Sequence, residues 1–373
     1  GTRPEAIKMA PVFHLLNSDD DFEVEVCVTA QHREMLDQVL KIFKISPKWD
    51  LNLMKPNQDI VSLTSKIFSN LNKVLDQYNP DIVLIHGDTI TTFAAASVCF
   101  LKNIKIGHVE AGLRTGDIYA PFPEEFNRRV ASIVSKWHFT PTVTSRNNLV
   151  KEGVPKNSIF ITGNTVIDSL KMTLDSLRND NQKQQEINDA LDAEISFNWR
   201  FEKFILVTGH RRENFGQGFR NICSAILELS LLYRDINFVY PAHFNPNVLD
   251  PVKSILGNSP NIHIIKPLEY ESFVCLLDAS YLVLTDSGGI QEEAPSLGKP
   301  VVVMRDLTER PEGLESGTVL LAGKDKNKIV KTISKLISDK SLYNKMSLAH
   351  NPYGDGKASD NIVKILKNVI NDD

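Results

Sequence analysis

What most limits how this chain can fold is a rhythm. Short runs rich in Val and Ile recur along its 373 residues, each followed by a stretch of helical character. One set of runs comprises residues 23–30 (EVEVCVTA), 81–88 (DIVLIHGD), 104–111 (IKIGHVEA), 136–141 (KWHFTP) and 159–164 (IFITGN). A second set comprises 204–210 (FILVTGH), 237–243 (NFVYPAH), 262–267 (IHIIKP), 281–287 (YLVLTDS), 300–306 (PVVVMRD) and 318–323 (TVLLAG). Short apolar strands alternating with helices build a parallel sheet covered by helices on both faces. The runs are too many for one doubly wound sheet, and the chain is longer than one hydrophobic core usually serves. The expected fold class is therefore α/β, with two Rossmann-like doubly wound parallel-sheet domains and a boundary near Gly163–Asn164. Residues 175–199, polar and rich in Asn, Gln and Asp, read as an exposed helix-and-loop insertion just after that boundary. The opening GTRPEAIKMAP is a glycine turn entering a helix pattern (Ala6, Met9, Val12, Phe13). Such turns follow a strand, so a first strand is expected ahead of Gly1.

Nearly every run is apolar until its carboxyl end, where polar groups gather: His86, Asp88 and Thr89; His108 and Glu110; His210 and Arg211; His243; Asp286 and Ser287. In open α/β sheets, ligands bind outside the carboxyl ends of the strands. Two such sheets facing a central cleft would direct these groups to one place.

Each motif has a bland reading beside the functional one. In DSGGIQEEAP (286–295), Gly288 and Gly289 form either a tight turn or a diphosphate seat at a helix N-terminus. TGHRRENFG (208–216) is a solvated basic loop or an anion site, since guanidinium forks match phosphate oxygens. FPEEFNRR (122–129), a proline followed by acids, is ordinary helix-start chemistry. Asp88 and Glu110 end buried strands, where an unused charge costs several kcal/mol; the structural alternative is pairing with Arg114 or Arg3. Arg310, in DLTERPEG (306–313), is a surface residue or a phosphate ligand.

Composition narrows the function classes. A hydrophobic share of 42%, a charged share of 24% and a net charge of −4 describe an ordinary globular protein with no electrostatic case for nucleic acid or an anionic membrane. No apolar run approaches the ~20 residues of a membrane span. Cys27, Cys99, Cys223 and Cys275 are widely spaced and read as reduced core residues of a cytoplasmic protein. No GxGxxG with a ribose-binding acid, no GxxxxGK[ST], no HExxH and no paired CxxC occurs, so neither a nicotinamide nor a metal site is indicated.

Taken in order, GTRPEAIKMAP, HGDT, GHVEAGLRTGD, PFPEEFNRR, ITGNTVID, TGHRRENFG and DSGGIQEEAPSLGKPVVVMRDLTERPEG resemble the non-hydrolysing UDP-N-acetylglucosamine 2-epimerases of bacteria, from Gly1 to about Gly356. The resemblance implies a GT-B fold whose last helix crosses back, giving domains of 1–164 plus 357–373 and of 165–356. It implies interconversion of UDP-GlcNAc and UDP-ManNAc without metal or nicotinamide cofactor, in a homodimer. Carried over position by position, it gives Asp88, Glu110, Glu124 and His210 as the catalytic set. Arg3 and Lys8 become nucleotide contacts, Ser287, Gly288 and Gly289 the diphosphate loop, and Arg310 a phosphate ligand. Glu293 becomes the acceptor of ribose hydroxyls, with Leu268 and Phe273 at the uracil. Glu292 is then a structural neighbour. Some bacterial members also bind UDP-GlcNAc at an activating site, to which Gln31, Arg211 and His243 correspond; Glu34 and Asn57 depart from that pattern.

The chemistry accounts for such a set. The C2–H of an N-acetylhexosamine becomes removable as the C1–O bond to UDP breaks, which leaves cation-like character that carboxylates stabilise. Departing UDP needs hydrogen-bond donors, and protons are handled on both faces of C2. A GT-B glycosyltransferase, a hydrolysing epimerase and an inactive UDP-sugar-binding module share parts of this equipment, but the first manages with one base.

Overall fold

The computed structural model describes residues 1–30, 33–54 and 58–371. The chain divides into two compact units, Gly1–Ser169 with Tyr353–Asp373, and Leu170–Pro352.

In the first unit, β1 (Cys27–Val28) pairs in parallel with β2 (Trp49–Asp50). β3 (Ile82–His86), β4 (Lys105–Val109), β5 (Trp137–Thr140) and β6 (Ile159–Ile161) form a second parallel sheet in chain order. Helix Arg3–Asn17 packs Val12 and Leu16 with Val109, Trp137 and Phe139 of this sheet. Helix Ala358–Asn371 brings Ile362, Val363 and Leu366 into the same core. Its entry is fixed by a buried carboxylate from far away in the chain: Asp168 accepts the backbone N–H of Ala358 at 3.2 Å and of Ser359 at 2.7 Å. These are donors that a helix N-terminus leaves without internal partners.

The second unit holds β7 (Phe204–Thr208), β8 (Asn237–Pro241), β9 (Ile262–Ile265), β10 (Leu282–Thr285), β11 (Val301–Val303) and β12 (Val319–Leu321). All pairings are parallel, in the spatial order β12-β11-β10-β7-β8-β9. Strands buried on both faces explain the unbroken apolar runs. From β7 the chain proceeds outward through β8 and β9, and then restarts on the other side of β7 with β10. The winding direction therefore reverses between β7 and β10, which is where open α/β sheets seat ligands.

Each of the eleven runs contains a strand; the pairing partner Trp49–Asp50 was not anticipated. The reading of 175–199 as an exposed insertion is corrected. Helices Thr165–Asn179 and Asn181–Glu194 run through it, and Ile187, Leu191, Ile195 and Trp199 are buried. Ile187 and Leu191 lie one turn apart on the inner face of the second helix, so its polar composition belongs to the other face, and Ile195 and Trp199 pack in the segment that follows it. His108 is likewise not a strand-end group. It lies inside β4, fully buried, with Nε2 2.8 Å from the Gly87 carbonyl oxygen, and burial pushes its pKa down to about 3.

Replacing Asp168 by Ala removes the donated-to carboxylate from the last helix. We expect a loss of about 1–2 kcal/mol in urea unfolding, with faster amide exchange concentrated in residues 358–371.

Candidate functional site

In the first unit, three carboxylates collect where β3 and β4 end. β3 finishes at His86 and turns at Gly87 (φ 65°), and Thr89 then caps helix Ile90–Leu101 by accepting the Thr92 N–H at 3.2 Å. Asp88 sits in that turn. Its carboxylate pairs with Arg128, and its carbonyl accepts the Asn127 side-chain N–H at 2.9 Å. Desolvation pushes the Asp88 pKa above the usual carboxylate range; Arg128 opposes the shift, while the charges of Glu110 and Glu124 add to it.

Glu110 follows β4 with φ 60°, a left-handed backbone that non-glycine residues adopt at a cost of about 1–3 kcal/mol. Its carboxylate is held by Lys8, by the Asn164 side-chain N–H at 2.9 Å, and by proximity to His86 Nε2 at 3.9 Å. Lys8 and Glu110 side chains are about nine-tenths buried, at 11% and 10% exposure, so this pair works at low dielectric. Arg3 lies on the same helix as Lys8.

Glu124 opens helix Glu124–Val134, immediately after Pro123. Its Oε2 is buried and accepts no hydrogen bond among the described residues. The adjacent Glu125 does the structural part of the motif: it is fully buried and accepts the Thr115 N–H at 3.1 Å and the Arg129 Nε–H at 3.0 Å. The helix-start reading therefore describes Glu125, while Glu124 keeps a free oxygen. Arg114 does not pair with Asp88 or Glu110 in this arrangement; it binds Glu152 in a fork at 2.8 and 2.7 Å.

In the second unit, the groups cluster at the reversal point. His210 and Arg211 leave β7 and Ser287 leaves β10; the two strand tips are joined by Thr208 and Thr285 hydroxyls 2.6 Å apart. Desolvation lowers the His210 pKa, helped by Arg211 and His243 and opposed by Asp286. The His243 ring stacks on it at 6.0 Å between centroids, and His243 Nδ1 accepts the Asn245 N–H, which leaves Nε2 to carry the proton.

Ser287 precedes helix Gly288–Glu293, which is only six residues long before it tightens into the 3-10 turn Ala294–Leu297. Such a short helix offers its free N–H groups more than a summed dipole. Arg310 lies against this loop: a β-carbon on Gly288 would fall 2.7–2.8 Å from its guanidinium. Glu292, buried at 1%, accepts the Arg310 Nε–H at 2.7 Å, so the neighbour of the ribose-position carboxylate anchors the predicted phosphate ligand. Against desolvation, Arg310, Arg305 and Arg211 together hold the Glu309 pKa below the usual range, which marks three guanidinium groups converging on one spot.

Glu293 is within 3.4 Å of the Tyr270 hydroxyl. Tyr270 starts helix Tyr270–Ala279, so Leu268, just before it, and Phe273, one turn into it, belong to the segment adjoining Glu293. Gln31 lies outside the described residues. Among the described residues, no group of His, Cys, Asp and Glu is arranged to hold a metal ion. Sequence reasoning missed Arg128, Asn164 and Asn214. Only Arg128, four residues after Glu124 on one helix face, left a local trace.

Against known proteins, residues 14–367 match the family model described as UDP-N-acetylglucosamine 2-epimerase. A UDP-N-acetylglucosamine 2-epimerase of Escherichia coli (strain K12) is 54% identical over 372 residues, spanning 99% of this chain and 97% of that protein. The crystal structure of the Neisseria meningitidis UDP-GlcNAc 2-epimerase bound to UDP-GlcNAc superposes with a TM-score of 0.91 at 50% identity, covering 99% and 98% of the two chains. An S. aureus MnaA–UDP co-structure gives 0.88 at 45% identity, covering 100% of this chain and 95% of that one. The two parallel-sheet units are those of the GT-B class.

Since Arg128 holds the Asp88 pKa down, Arg128→Gln should raise it further. Titration of the Asp88 carboxyl by 13C NMR checks this: its midpoint should move to higher pH in the variant.

Proposed function

This chain belongs to the UDP-N-acetylglucosamine 2-epimerase family, and we propose that it interconverts UDP-GlcNAc and UDP-ManNAc by inverting C2 of the sugar. In the forward direction the C1–O bond to UDP breaks, UDP departs as the anion, and a carboxylate takes the proton from C2. The products are 2-acetamidoglucal and UDP. UDP then re-adds at C1 while a proton is delivered to the opposite face of C2. Atoms balance with no net redox change.

The observation that carries this reading is the gathering of Asp88, Glu110 and Glu124 at the ends of β3 and β4 in unlike environments. A carboxyl with a raised pKa, one paired with Lys8 and Asn164, and one with an open oxygen can divide acid and base roles. In the second unit, Ser287, Gly288 and Gly289 take the diphosphate with Arg310, Glu293 accepts ribose hydroxyls, and Leu268 and Phe273 border the uracil. Arg3 and Lys8 complete the nucleotide contacts, and His210 donates to the departing diphosphate. Arg211 and His243 stand beside His210 and would serve an activating UDP-GlcNAc, with Gln31, in that same reading.

The reading extends to a cytoplasmic homodimer that supplies ManNAc units for cell-surface polysaccharide. Phe100 (60% exposed), Leu101 (76%) and Ile133 (80%) support the dimer: they project from helices Ile90–Leu101 and Glu124–Val134, which pack on each other. Light scattering of the purified protein at the mass of two chains would agree with it. The four cysteines carry free thiols, as a reducing compartment requires.

Incubation with UDP-GlcNAc in D2O, followed by NMR, tests the reaction. UDP-ManNAc with deuterium at C2 is the expected result. Free ManNAc and UDP would indicate a hydrolysing epimerase, and an unexchanged C2 a transferase or binding module. Asp88→Asn should lose about 100-fold or more in kcat; unimpaired turnover removes Asp88 from the set.

A further inference from the structure

The epimerase reading gives no role to a fully buried carboxyl group of the second unit. Asp286, at the tip of β10, has no solvent exposure. Its carboxylate accepts the backbone N–H of His210 at 3.0 and 3.2 Å, the backbone N–H of Arg211 at 2.9 Å and the side-chain N–H of Asn214 at 3.1 Å. Asn214 also donates to the Met304 carbonyl at 3.2 Å, just beyond β11. One carboxylate thereby ties the ends of β7, β10 and β11 together, and the residue after it, Ser287, begins the Gly288–Gly289 loop. From the other side, the buried Tyr240 hydroxyl donates to the Gly209 carbonyl at 2.9 Å, so the peptide units on both sides of His210 are fixed.

We infer that Asp286 is a positioning residue for His210: it fixes the His210 backbone against the diphosphate loop and sets the electrostatic environment of the imidazole from behind. A carboxylate that receives this many donors in a dry site cannot reorient. A neutral hydrogen-bonding residue would hold the loop as a shape but would not favour the imidazolium. The groups bearing on His210 are Asp286 from the end of β10, Arg211 from its own loop and His243 from beyond β8; only Asp286 favours the charged ring, while desolvation, Arg211 and His243 oppose it. The carboxylate thus limits how far burial lowers the His210 pKa, and it holds the ring's backbone in place beside the diphosphate loop.

The inference rests on the epimerase reading, and the test separates the two. UDP-GlcNAc turnover and an NMR titration of the His210 imidazole are compared in the wild type, Asp286→Asn and Asn214→Ala. Absence of C2 exchange in the wild type would sink the epimerase reading itself. With the wild type active, Asp286→Asn is expected to lower kcat about tenfold or more at little change in KM, through misplacement of the ring. Its His210 midpoint and the alkaline limb of kcat should move to lower pH. Asn214→Ala keeps the carboxylate, so it should leave the midpoint in place and lower kcat about threefold, one hydrogen bond's worth. An Asp286→Asn protein with reduced activity and an unmoved His210 midpoint would show a purely structural role and overturn the inference. If Asp286→Asn does not fold, unchanged kcat in Asn214→Ala overturns it instead.

Discussion

A carboxylate at the end of a buried strand must be met by donors or cations, or it will not stay ionised. Both units of this protein are organised around that demand. Glu110 is met by Lys8 and Asn164, Asp88 by Arg128, Asp286 by two backbone N–H groups and Asn214, and Glu292 by Arg310. Each partner comes from a different part of the chain, so meeting the charge also fixes the loops. Lys8 fastens the first helix to the β4 loop, and Asn214 fastens β7 to β11. Breaking one of these by removing a single partner leaves an uncompensated charge, which costs more than the pair contributes as a whole.

Parallel winding decides where these charges can stand. A parallel sheet covered on both faces has no polar surface except at its strand ends, and its carboxyl ends all point one way. In the second unit the reversal between β7 and β10 opens space between successive loops there, and His210 and Ser287 emerge on its two sides. The short Gly288–Glu293 helix then separates two uses of negative charge. Glu292 turns inward to hold a guanidinium, and Glu293, the next residue, points toward Tyr270. Anion-binding donors and acidic residues thus coexist within a few residues because they face different partners.

How much of this could be read in the sequence follows from the same physics. The buried strands announce themselves, since their residues are mostly apolar and β-branched or aromatic; all eleven runs contain one. Trp49–Asp50 gave no signal, because a two-residue strand with an exposed Asp50 has no periodicity to detect. The buried pair Ile187 and Leu191 was present but diluted by Asn, Gln and Asp on the outer face of the helix. His108 misled because a histidine near a strand end resembles a site residue; its one satisfied nitrogen and full burial make it part of the core. Arg128, Asn164 and Asn214 could not be placed, since each acts on a carboxylate 40, 54 or 72 residues away in the chain.

The three carboxylates of the first unit differ in what surrounds them rather than in kind, and that difference is what a reaction with two proton transfers requires. Two equivalent acids would share a proton with no defined place for it. Here the left-handed backbone at Glu110 aims its side chain into Lys8, which pairs with it. The charge of Glu110 raises the proton affinity of Asp88, and Arg128 limits that rise. Glu124, arriving from a helix rather than a strand, keeps one oxygen unbonded. The strain at Glu110 therefore has a consequence beyond its own position: the carboxylate it places there helps to raise the pKa of Asp88.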